Sequence, residues 1–153
     1  MKKIPVLNIQ QFKQAQPLTD FYSNRLSVHF EKNKELVHKP HKHNFFLCVL
    51  FTKGTGIHEI DFNSYPVAPG SVFFLKPGQT HYWKFEKLPE GSIFFHSQEF
   101  YDMAFATNQL HQFPFYYSIE NPPTLRLSDT KTRIIEKRFK EITEEYKGDL
   151  PYK

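Results

Sequence analysis

Between residues 26 and 96 short apolar runs recur at roughly ten-residue spacing with turn-forming residues between them, a pattern that predicts strands of a sandwich or barrel. The predicted strands are residues 26–30 (LSVHF), 45–51 (FFLCVLF), 56–62 (GIHEIDF), 71–75 (SVFFL), 81–86 (HYWKFE) and 92–96 (SIFFH). Side chains alternate across a strand, so counting by twos from His41 puts His41, His43, Phe45, Leu47, Val49 and Phe51 on one face. Lys42, Asn44, Phe46, Cys48, Leu50 and Thr52 take the other. The first face is the more apolar and is predicted to point inward. The same count turns His81, Trp83 and Phe85 inward, so three histidines are expected to converge in the interior.

The separators carry turn chemistry. Lys53-Gly54-Thr55-Gly56, Asn63-Ser64, Ala68-Pro69-Gly70, Lys76-Pro77-Gly78 and Leu88-Pro89-Glu90-Gly91 are each predicted to reverse the chain. A short helix at residues 98–106 and a Pro-rich stretch at residues 113–123 follow. Residues 131–147 are free of Gly and Pro and end before Gly148 and Pro151, which predicts a helix with stop signals. Ile135, Phe139, Ile142 and Tyr146 form a narrow apolar seam on it, with Ile134 alongside, suited to a partner helix or to the outside of a sheet.

A length of 153 residues makes one domain, and the 17% share of aromatic residues favours β-structure over a helical bundle. The net charge of +4 arises in residues 1–44, where 8 Lys/Arg face 3 Asp/Glu, scattered rather than gathered on one helix face. This reads as solvated surface and not as a nucleic-acid interface. The single cysteine, Cys48, excludes an intramolecular disulfide. With no signal-peptide core and no apolar run long enough to cross a bilayer, a cytoplasmic protein without membrane contact is expected.

Two histidines at i and i+2 share a strand face roughly 6–7 Å apart, and a third from a neighbouring strand completes a His₃ metal site. His41, His43 and His81 have this spacing, but H-x-H is common by chance, and the alternative is a ligand pocket in which the imidazoles only exchange hydrogen bonds. His29, His58, His96 and His111 are expected to be ordinary histidines, His58 as a satisfied core residue beside Ile60.

The segments HKHNFF and GSVFFLKPGQTH resemble the two signature motifs of the cupin superfamily, small double-sheet β-barrels. The longer run FLCVLFTKGTGIHEIDFNSYPVAPGSVFFLKPGQTHYW, with GSIFFHSQEF and QFPFYY after it, resembles the N-terminal sensor domain of AraC-type transcriptional regulators. The resemblance implies a mainly β, cupin-like double-stranded β-helix with one or two C-terminal helices. It divides the chain into an arm with the first strand (residues 1–25, the arm at 4–20), an effector-binding barrel (26–127) and a dimerisation or linker helix (128–153).

The resemblance also assigns residues. His41, His43 and His81 match the histidines of the metal-binding cupins, but the glutamate ligand of those proteins falls near Leu47 or Cys48, and their asparagine at Phe85. Neither cofactor nor resident metal is therefore expected, nor an enzyme. The implied function is sensing of a small polar metabolite, a sugar for example, by Lys39, His41, His43, Leu47, His81 and Trp83, with Trp83 stacking on a ring and Lys39 meeting an anion at the barrel mouth. Ile135, Phe139, Ile142 and Tyr146 match the family's dimerisation element and imply a homodimer. Residues 128–153 hold no pair of helices with a tight turn, so a DNA-binding helix-turn-helix domain is expected outside this chain. The alternative is a stand-alone metal-dependent cupin, an isomerase or oxygenase using His41, His43 and His81.

Overall fold

The computed structural model describes residues 4–7, 21–97 and 123–147, the side chains at 35, 36 and 145–147 excepted. Its strands are β1 (Val6–Leu7), β2 (Phe21–Arg25), β3 (His41–His43), β4 (Phe46–Ile60), β5 (Asn63–Val67), β6 (Ser71–Leu75), β7 (Thr80–His96) and β8 (Thr124–Arg126). The helices are α1 (Leu26–Lys32), α2 (Lys34–Val37) and α3 (Asp129–Lys147). One sheet of order β1-β3-β7-β4-β6-β8, with β2 added to β7 and β5 to β4, wraps around an aromatic core. The architecture is mainly β, with one described helix after the barrel.

β4 and β7 are the frame. They pair along nearly their whole length, from Phe46 opposite His96 to Ile60 opposite His81, with register shifts between Phe51 and Gly56. The Gly-rich separators at residues 53–56 and 88–91 thus bend two long strands together instead of ending four short ones. Close approach explains the glycines: a Cβ on Gly91 would collide with the Leu50 carbonyl oxygen, and one on Gly56 with that of Lys84. The reversal expected at Asn63-Ser64 falls earlier, at Asp61 and Phe62, whose φ values of 47° and 71° lie in the left-handed region that two-residue hairpin turns use. Asp61 anchors that turn by accepting hydrogen bonds from Thr80 N and Gln79 Nε2.

Residues 26–30 form the start of α1 rather than a strand. Leu26, Val28 and Phe30 satisfy strand alternation, but Leu26, His29 and Phe30 satisfy helical spacing as well, and these three are the residues α1 buries. The expected helix at 98–106, the Pro-rich stretch, His111 and most of the expected arm, residues 8–20, lie outside the described residues.

α3 begins after Ser128, whose hydroxyl accepts from Lys131 N as an N-cap. It lies on the outer face of the sheet. Phe139 is buried against Cys48, Leu50 and Val72, with Ile135, Phe74 and Phe94 at the edge of the cluster. This is why the second face of β4 is as apolar at Phe46, Cys48 and Leu50 as the first. The seam residues Ile135 and Phe139 therefore cover the chain's own barrel, and Phe139 is not available to a second copy in this arrangement. Ile142 is half-buried, Ile134 is exposed, and the side chain of Tyr146 lies outside the described ones.

Candidate functional site

β3 sets His41 and His43 on the inner face, and β7 lies antiparallel to it with His81 directly opposite His41. All three are buried. Their ring centroids are 4.4 Å (His41–His81), 4.6 Å (His43–His81) and 5.0 Å (His41–His43) apart. One ring nitrogen from each lies within 4.8 Å of the others. The convergence expected from alternation is thus present in the fold.

Two further histidines join them. His58 on β4 sits diagonal to His81 across the strand pair, and its Nε2 is 2.8 Å from His81 Nδ1. His81 Nε2 in turn is 3.3 Å from His43 Nε2. His29 reaches in from α1, with Nδ1 3.0 Å from Tyr22 Oη and its ring edge against Phe95. Sequence reasoning missed both. For His58 a signal exists, because a hairpin count places position 58 beside position 83. For His29 there is none, since its segment reads equally well as a strand.

Burial holds these rings neutral. It pushes the His43, His58 and His81 imidazoles well below their ordinary value, with the neighbouring rings acting in the same direction, and it lowers His29 to about 3 with His41 as the second cause. No Lys, Arg, Asp or Glu is buried among the described residues. Two buried polar atoms, His58 Nδ1 and Trp83 Nε1, have no hydrogen-bond partner. His58 is therefore only half satisfied.

The expected ligand residues divide into two groups. Leu47 is a buried wall residue, and Trp83 is sandwiched, stacked on His58 at 4.4 Å and nearly parallel to Phe85 at 6.2 Å, with Phe30 tilted against it. Lys39 is exposed and touches the cluster only through its carbonyl oxygen, which accepts from His41 Nδ1 at 2.7 Å. Phe30 on α1 and Phe85 on β7 close the barrel over Trp83. Outside them a cleft of about 650 Å³ runs between α1, α2 and β7, lined by Ser27, Phe30, Val37, His38, Phe85 and Pro89 among others.

The donor set fits a divalent ion of borderline softness. With metal–nitrogen bonds of about 2.0–2.1 Å, tetrahedral ligand nitrogens stand about 3.3 Å apart, the separation of His43 Nε2 and His81 Nε2. The carbonyl at His41 Nδ1 is an outer partner that metal-bound histidines use, and His58 Nε2 stands in the same position at His81 Nδ1. No carboxylate belongs to the cluster among the described residues, so an ion held there keeps its full charge.

Among curated proteins no sequence matches this chain. Solved structures that it resembles include EutQ of Clostridium difficile, 14% identical over 56% of this chain and 74% of that one, with a TM-score of 0.35. The plu4264 protein of Photorhabdus luminescens is 16% identical over 62% and 92%, with a TM-score of 0.38. Oxalate decarboxylase of Bacillus subtilis is 17% identical over 88% of this chain but 36% of its own length, with a TM-score of 0.33. The family model described as AraC-like ligand binding domain matches residues 26–89, which run from α1 through β3 and β4 to Pro89 of β7. The matched stretch takes in His41, His43, His58, His81 and Trp83.

Proposed function

We propose that this chain is the effector-sensing module of an AraC-type transcription regulator and that its effector is a small, uncharged, polar metabolite such as a sugar. The observation that carries the reading is the interior itself: neutral imidazoles with an unpartnered indole N–H and an unpartnered ring nitrogen, and no buried charge among the described residues. Such a lining exchanges hydrogen bonds with hydroxyl and carbonyl groups but offers an anion no counter-charge. His41, His43 and His81 would orient the ligand, Trp83 would give its N–H, Leu47 would form the apolar wall, and Lys39 would stand at the mouth. The cleft under α1 and α2 is the way in, opened by moving Phe30 off Trp83 and Phe85. Homodimerisation, with Ile142 and Tyr146 as the seam positions nearest the end of α3, and DNA binding through a helix-turn-helix domain belong to the same reading.

A thermal-shift screen of the full chain against uncharged sugars and related polyols tests it. A true effector at 100 times its Kd adds about 2.7 kcal/mol of stability, and His81→Leu removes the shift. A screen in which only charged compounds bind overturns it.

The convergent ring nitrogens of His41, His43 and His81 favour a second reading, a metal-dependent cupin enzyme. There the three imidazoles would hold the ion, which supplies Lewis acidity, while His58 would position His81. Near-stoichiometric metal after chelator-free purification, with turnover abolished by chelation, would select it.

A further inference from the structure

β2 makes two unlike contacts through neighbouring residues. On its inner face Tyr22 stacks on Phe95 at 4.8 Å and its hydroxyl meets His29 Nδ1, while Asn24 Nδ2 donates to the same oxygen at 3.2 Å. One phenolic oxygen thus holds both Asn24 and the His29 ring. On the outer face Phe21 stacks on Phe94, and Phe94 in turn packs on Phe139 of α3. Between them Ser23, fully buried, is 2.6 Å from Thr143 Oγ1 of α3. Thr143 gives its hydroxyl hydrogen to the Phe139 carbonyl at 3.0 Å, so Ser23 is the donor of the pair.

We propose that β2 is a coupling strand: it transmits the position of α1 over the effector pocket to α3, through Tyr22 and His29 on one face and Ser23 and Thr143 on the other. The proposal rests on the effector-sensing reading above. Three features support it. β2 runs into α1 without a loop, Arg25 being both the last strand residue and the helix N-cap, so a displacement of α1 pulls directly on the strand. Adjacent residues of a strand point to opposite faces and share one backbone, so Tyr22 cannot shift along β7 without carrying Ser23. The α3 contact that moves with it is a buried hydroxyl pair linking positions 120 residues apart, whereas the side-chain contacts of Phe139 are apolar and tolerant of small slides. α1 itself lines the cleft through Ser27 and Phe30, so a ligand that lifts Phe30 acts on the strand at its end. Tyr22, Ser23 and Thr143 are positioning residues in this scheme, because none is assigned to the effector.

The test is amide hydrogen exchange over residues 136–147 in the full chain without ligand, comparing wild type, Tyr22→Phe, Thr143→Val, Thr143→Ser and the Tyr22→Phe/Thr143→Val pair. Tyr22→Phe is expected to speed exchange there by about fivefold, the equivalent of one hydrogen bond, while the slowest amides of β4 stay unchanged. The effect persists in the Thr143→Ser background, which keeps the hydroxyl, and disappears in the Thr143→Val background, which lacks it. If Tyr22→Phe loosens α1 but leaves α3 at the wild-type rate, or acts equally in all backgrounds, β2 does not couple the two. No effector enters this measurement, so its failure is distinct from a failure of the thermal-shift screen, which strikes the sensing reading alone.

Discussion

The first part of β4, Phe46–Phe51, is buried on both faces, and the two faces are built on opposite principles. Inside, Phe45, Leu47, Val49 and Phe51 share their space with His41, His43, His58 and His81 and with two polar atoms that have no partner. Outside, Cys48 and Leu50 meet Val72, Phe139 and their neighbours in an apolar layer whose thiol is pushed up to about 12 by burial and stays inert. Unsatisfied buried polar groups cost stability, so a sheet needing only to cover itself would be made like the outer face. The inner face retains that cost, and on the effector-sensing reading proposed above this separates a surface kept for a ligand from one kept for packing.

Acidification should break the comparison most severely. An imidazole whose folded value is depressed takes up a proton on unfolding, so its stabilising effect is whole above pH 6.5 and is lost as pH falls toward the folded value. For His29 the window runs from 6.5 down to about 3. Each such ring removes up to about 1.4 kcal/mol per pH unit, and His43, His58 and His81 act in the same sense. Urea unfolding from pH 8 to pH 5 checks this; a flat profile would show that the rings are not buried neutral.

Next in size is the outer face. Phe139→Ala should cost about 3 kcal/mol and free α3, yet leave the pH slope as it is, because no titrating ring belongs to that cluster. Denaturant titrations of the variant at two pH values read both quantities. Zinc sharpens the comparison from within: on the metal-dependent reading it should add about 2.7 kcal/mol at 100 times its Kd, seen as a thermal shift lost in His81→Leu and kept in Phe139→Ala. The smallest effect belongs to Trp83→Phe. Removing an N–H that has no partner offsets part of the lost ring volume, so the cost should stay below about 1.5 kcal/mol, measured by calorimetry.

Much of this is legible in the sequence. Counting by twos from His41 and from His81 puts His41, His43 and His81 on one inner face, because successive side chains of a strand point to opposite sides. The helical spacing of Ile135 and Phe139 marks an apolar seam without saying whether a second copy or the chain's own barrel covers it, and the fold packs Phe139 on the barrel. Other features are hidden for physical reasons. Leu26–Phe30 fits both periods, and only its contacts with Tyr22 and Trp83 decide for a helix. Gly54, Gly56 and Pro89 look like chain reversals, whereas the strands bend through them because close backbone approach, like a turn, calls for glycine. The reversal at Asp61-Phe62 is invisible, since a phenylalanine at positive φ is rare. The bond between His58 and His81 depends on a register that composition does not encode.

The chain has a single tryptophan, and it sits under the helical cap, stacked on one of the clustered imidazoles. Tryptophan fluorescence, excited selectively over the eight tyrosines, is thus an optical probe of one place. A change in its emission on adding a compound needs no label to be traced to the interior, and its quenching would follow protonation of the ring beside it.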